Sequence, residues 1–253
     1  MVFDARDYGV LGDGITDDTA ALQAAIDAAA AAGGGTVQIA AGVYRVSGGE
    51  EASDGCLMLP SNVYLQGAGM GETVIKVVDG WDQKITGIIR SAYGEETHDF
   101  GVSDLTIDGN RDATTGKVDG WFNGYIPGQD GADRNVTLER VEIRDCSGYG
   151  FDPHEQTINM LIKDCVAHGN GLDGFVADYM IDGAFVGNVA YDNDRHGFNV
   201  VTSTHDFVLL DNVAYGNGGN GIVVQRGSDD IPSPENILIQ GGEYYGNAKE
   251  GIL

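Results

Sequence analysis

The sequence predicts an all-β solenoid of the parallel β-helix class, residues 1–253 as one module, with a capping α-helix at its amino end. Three observations predict it: a glycine-anchored repeat of 23 to 24 residues, short β-type runs joined by Asn/Gly turns, and a helical pattern confined to the start of the chain.

The helix comes first in the chain. "ITDDTAALQAAIDAAAAAGGG" offers Thr16 or Asp17 as N-cap, an apolar face of Leu22, Ala25, Ile26 and Ala29, and a stop at Gly33, so a helix is expected over 17–32. Placed at the open end of a solenoid, it would cover strand edges that otherwise invite aggregation. "TVQI", "VYRV", "VYLQG", "TVIKV" and "LTIDG" follow as strands of early, less regular coils.

The repeat is clearest from residue 146 onward. "CSGYGFDPH", "NGLDGFVAD", "NDRHGFNVV", "NGGNGIVVQ" and "NAKEGIL" align on Gly150, Gly174, Gly197, Gly221 and Gly251, and the last interval is lengthened by "SDDIPSPE". Four residues before each anchor stand Cys146, Asn170, Asn193, Asn217 and Asn247. Leucine-rich repeats have a similar period, but their Leu-x-x-Leu-x-Leu pattern is missing. The chain stops two residues past its last anchor, so the final coil is expected to continue in a longer module.

Composition narrows the function classes. With 14 Lys+Arg against 39 Asp+Glu, the formal net charge is −25, which argues against a nucleic-acid partner. No apolar run approaches a membrane span, and the amino terminus lacks signal-peptide form. Cys56, Cys146 and Cys165 are odd in number and without metal-ligand spacing, so they are read as buried thiols. Neither an EF-hand pattern nor a Gly-Gly-x-Gly-x-Asp array marks a calcium site.

Strand alternation then assigns faces. In the strand after each anchor, Phe151, Phe175, Phe198 and Ile222 point inward, while the second and fourth positions point out, carrying Asp152 with His154, Val176 with Asp178, Asn199 with Val201, and Val223 with Gln225. The position before the anchor carries Tyr149, Asp173, His196 and Asn220. Coils ~4.8 Å apart would make His154 and Asp178 neighbours. A single outward His or Asp would serve only to solvate the coil. Tyr149, Asp152, His154, Asp178 and His196 converging on one strip suggest acid/base chemistry. Basic residues are scarce, so Lys84, Arg90, Lys117 and Arg195 are expected to form a positive path for a polyanionic chain. Asp119 and Gln225 are counted with this binding surface. "GWFNGYIPG" adds Trp121, Phe122 and Tyr125, either a sugar-stacking platform or packing groups.

"YGFDPHEQ", "GLDGFVADY", "NDRHGFNVVTSTHDF" and the opening "DARDYGVLGDGITDDTAALQAAIDAAAAAGGGTV" closely resemble the catalytic A-modules of secreted, calcium-dependent bacterial mannuronan C5-epimerases, along essentially the whole chain. The resemblance implies right-handed coils, an alginate or polymannuronate chain as partner, Ca²⁺ with ligands unknown, an extracellular location and a monomer without nucleic-acid or membrane partners. It also implies Tyr149 and His154 as the acid/base pair, Asp152 as the group neutralising the uronate carboxylate, and Asp178 and His196 as tuning groups. Lys84, Arg90, Lys117, Asp119, Phe122, Arg195 and Gln225 would bind substrate. An alginate lyase and a non-catalytic polysaccharide-binding β-helix are the alternatives.

Overall fold

The structure, a computed structural model, describes all residues except 93, 125–130 and 155. Its strands pair in parallel, coil upon coil, into three faces. One begins with Val2–Asp4, Gly35–Gln38 and Val63–Gln66. A second begins with Asp13–Asp17, Gly42–Val46 and Thr73–Val77. The long strands His98–Asp108 and Asp133–Arg144 run across both, so these two faces form one continuous 17-stranded sheet. The third face is a separate 7-stranded sheet: Leu57–Leu59, Ile89–Ser91, Trp121–Asn123, Phe151–Pro153, Phe175–Asp178, Phe198–Val201 and Ile222–Gln225.

Inward residues make the core, and the repeat makes it a stack. Phe151, Phe175, Phe198 and Ile222 share one register column and are fully buried. The phenyl rings stack nearly parallel, with centroids 4.6 and 4.8 Å apart. Phe185 and Phe207 fill the opposite side of the same interior, edge to face at 4.9 Å. A column of identical rings is stable here because parallel pairing at the strand spacing sets the offset that aromatic faces prefer.

The turns are held by side-chain amides. Asn170, Asn193 and Asn217 are buried, and each backbone N–H from Cys146 onward donates to the Asn Oδ1 of the next coil, ending at Asn247. Their Nδ2 groups donate to backbone carbonyls of Ile143, Ala167 and Ala190. A second, shorter ladder runs from Cys165 through Asn188 to Asn212. Asp145, Asp164, Asp192 and Asp211, just before ladder residues, adopt left-handed backbone with φ of 51–53°, a conformation Asp tolerates better than most side chains. The ladders thereby satisfy polar groups that the tight turns bury. All three cysteines are buried, as expected.

The helix spans Thr19–Ala31 and buries Leu22, Ala25, Ile26 and Ala29 against Val2–Asp4, Gly35–Gln38 and Leu57–Leu59. Its start differs from expectation. Asp18 occupies the N-cap, but its carboxylate turns back to accept the Leu11 and Gly12 N–H groups, while Asp17 accepts from Thr19. The extended stretch Asp13–Asp17 pairs with Gly42–Val46, so strand pairing claims residues that local capping signals assign to the helix.

Candidate active site

Register on the third face brings the polar residues together. Arg90, Phe122 and Asp152 stand opposite one another on successive coils, followed by Val176, Asn199 and Val223. These side chains alternate with the core residues and so leave the interior. The exposed strip expected there is corrected by the structure: Arg90, Asp152, Val176 and Asn199 are buried, because they form the floor of a cleft of about 860 Å³. Lys84, Lys117, Tyr149 and Arg195, from turns before the face, and Tyr179, Thr202 and Ile231, from segments after it, line the same cleft.

Burial changes the chemistry of Asp152. At 5% exposure its carboxyl is pushed up to about 7, first by desolvation and then by the Asp119 charge, with Asp178 adding to the effect and His154 and Lys117 opposing it. A carboxyl of this kind can hold a proton near neutrality and share it with another carboxylate. Next to it, His154 places Nε2 3.3 Å from Asp178 Oδ2, the neighbour relation expected from the repeat. The His154 ring stacks on Phe122 at 6.0 Å, and the Arg90 guanidinium carbon lies 4.8 Å from the Phe122 centroid.

Tyr149 is the other proton-transfer candidate. Burial and then Asp152 push its phenol above the ordinary range, while Arg195 pulls it down. Lys117 Nζ lies 4.8 Å and Arg195 Cζ 5.7 Å from the Tyr149 centroid. Buried Asp119 accepts the Tyr149 backbone N–H at 2.9 Å and sits 3.2 Å from Lys117 Nζ. Gln225 also lines the cleft and donates to Asn199 Oδ1 at 3.1 Å.

One expectation needs correction, and one open alternative is decided. His196 does not line the cleft: its Nδ1 accepts the Asn220 backbone N–H, and its own N–H donates to Asp173, so its ring supports the turn. Trp121 is fully buried, stacked on Phe100 at 6.2 Å, with its indole N–H donated to Asn123; of the expected platform only Phe122 reaches the cleft, and Tyr125 lies outside the described residues. Asn199, Tyr179 and Thr202 were not singled out from sequence. Asn199 shares its outward position with Asp152 in the same register column, two coils further on, which is the signal that could have found its place at the cleft.

Among the described residues, no group of three or more His, Cys, Asp or Glu side chains is placed to hold a metal ion. No helix among the described residues is long and apolar enough to cross a membrane.

Comparison with known proteins places the chain in a family. Residues 2–252 match the family described as rhamnogalacturonase A/epimerase, pectate lyase-like. The chain is 73% identical over 252 residues to mannuronan C5-epimerase AlgE5 of Azotobacter vinelandii, covering 100% of this chain and 25% of that protein. It is 66% identical over 253 residues to alginate lyase 7 of the same organism, covering 30% of it. The A-module of A. vinelandii mannuronan C-5 epimerase AlgE4 superimposes with a TM-score of 0.98 at 71% identity, over 100% of this chain and 67% of that one. The chain thus spans about a quarter of the length of AlgE5. On the match along 2–252 and the parallel coils that carry the cleft, the chain belongs to the rhamnogalacturonase A/epimerase, pectate lyase-like family, beside the A-modules of mannuronan C5-epimerases.

Proposed function

We propose that this module epimerises β-D-mannuronate to α-L-guluronate within polymeric alginate. The observation that carries the reading is the grouping of Tyr149, Asp152 and His154 in a cleft lined by Lys84, Arg90, Lys117 and Arg195. Removing the C5 proton, α to a carboxylate, accumulates negative charge on that carboxylate. Asp152, protonated near neutrality, supplies a shared proton to it, and the cations supply opposing charge. His154, oriented by Asp178, accepts the C5 proton; Tyr149, whose phenol holds its proton at neutral pH, donates one to the opposite face.

The test is proton NMR of polymannuronate in deuterated buffer. Wild-type protein is expected to introduce deuterium at C5 and guluronate signals. Tyr149→Phe and His154→Phe should each lose the exchange by ~10²- to 10⁴-fold while still binding polymer. A folded double variant with near-native incorporation refutes the assignment. The relative named alginate lyase supports one second reading, elimination of the C4 oxygen from the same carbanion. Ultraviolet absorbance of an unsaturated product would mark that outcome.

The same reading takes the coils as right-handed, residues 1–253 as one module, and the helix as the plug over its first strands. It takes the protein as a monomer acting outside the cell. Calcium dependence belongs to it as a requirement without an assigned site, read by chelation during the exchange assay.

A further inference from the structure

Resting on that proton-transfer reading, we propose that Asp173 is a positioning residue: it clamps Arg195 beside Tyr149 and through that cation sets how readily the phenol releases its proton. Asp173 is fully buried and does not line the cleft, so it cannot touch a polymer lying there. Both carboxylate oxygens are saturated. Oδ1 accepts Arg195 Nε at 2.8 Å and the His196 backbone N–H at 2.9 Å, while Oδ2 accepts Arg195 Nη2 at 2.7 Å and Asn199 Nδ2 at 2.9 Å.

Such a bidentate fork removes the freedom of a long side chain that is otherwise 40% exposed. Released, the guanidinium would move into solvent, where its charge is screened. The coil on the other side of Tyr149 repeats the device. There buried Asp119 holds Lys117 over the same ring and accepts the Tyr149 N–H, as Asp173 accepts that of His196. Two buried carboxylates thus aim one cation each at one phenol. A carboxylate kept solely for the turn would need only the backbone N–H.

The two roles Asp173 could have predict opposite signs. The charged groups facing Tyr149 are Lys117, Arg195, Asp119, Asp152 and Asp173, with His154 and Asp178 in the same cleft. If Asp173 acts on the phenol only by its own negative charge, Asp173→Asn lowers the Tyr149 pKa. If it acts by holding Arg195, the same substitution raises it, since the guanidinium is the stronger influence of the two.

Tyrosines labelled with ¹³C at Cζ, with Tyr149 assigned by its loss in Tyr149→Phe, allow the titration to be followed without polymer. Arg195→Ala is expected to raise the Tyr149 pKa by about one unit and Asp173→Asn by less, because its own opposing charge is lost as well, with the double variant no higher than Arg195→Ala. A fall in Asp173→Asn, or a rise additive with that of Arg195→Ala, overturns the proposal. Should Asp173→Asn fail to fold, Arg195→Lys keeps the charge but cannot form the two-pronged contact with Asp173; a smaller rise is expected, and an unchanged pKa overturns the clamp. With polymannuronate, Asp173→Asn should exchange C5 protons about 10-fold more slowly with KM within about 3-fold. Absence of exchange in the wild type would sink the functional reading alone, leaving the titration to decide the clamp.

Discussion

Asp152→Asn should stabilise the protein more at alkaline than at acidic pH while removing its activity. The native carboxyl titrates at about 7 instead of its ordinary 3.8, because burial and Asp119 oppose its charge. Between these values the native state binds the proton that the unfolded chain has released, so this group's contribution falls as pH rises from about 4 to 7 and stays unfavourable above. At 1.36 kcal/mol per unit, the raised pKa costs the native state about 1.5 kcal/mol at pH 5 and about 4 kcal/mol at pH 8. The advantage of Asn over Asp should therefore grow by about 2.5 kcal/mol across that interval. Urea unfolding of both proteins at pH 5, 6.5 and 8 measures it, and C5 exchange measures the functional loss. Equal displacement of the variant from wild type at all three pH values would refute the claim that a buried, strained charge sits at the cleft floor.

Three further outcomes are expected. Asn193→Ala removes the Oδ1 acceptor for Asn170 and the donor to Ala167 in a buried ladder, and should cost about 3 kcal/mol, visible as a lower urea midpoint. Phe175→Ala opens a void between Phe151 and Phe198 and should cost about 3–5 kcal/mol, with loss of near-ultraviolet circular dichroism at lower temperature. Lys117→Ala should weaken polymannuronate binding and flatten its salt dependence, because a cation at the cleft is lost; an affinity and a salt dependence both equal to those of the parent protein would count against that role.

The amino-acid sequence by itself determined the coil period, the inward column of Phe151, Phe175 and Phe198, the recurrence of Asn170, Asn193, Asn217 and Asn247 before the anchors, and the pairing of His154 with Asp178. These follow from a repeat: once the period is known, parallel stacking fixes which residues meet on neighbouring coils. The sequence also selected most of the charged cleft residues, since a Tyr, a His and scarce cations stand out against a background of Val, Gly and Asn. Tertiary structure alone decided what those residues experience. Outward position in a strand says nothing about whether turns on both sides rise around it, and those walls turn Asp152 from a surface carboxylate into one titrating near neutrality. Likewise, His196 and Tyr149 occupy the same repeat position, yet only Tyr149 lines the cleft, because Asn220 and Asp173 hold the His196 ring and backbone in the turn. Asp173 carries no signal of its own in the sequence; its relation to Arg195 depends on where two turns one coil apart direct their side chains, which burial and hydrogen-bond satisfaction settle and periodicity does not.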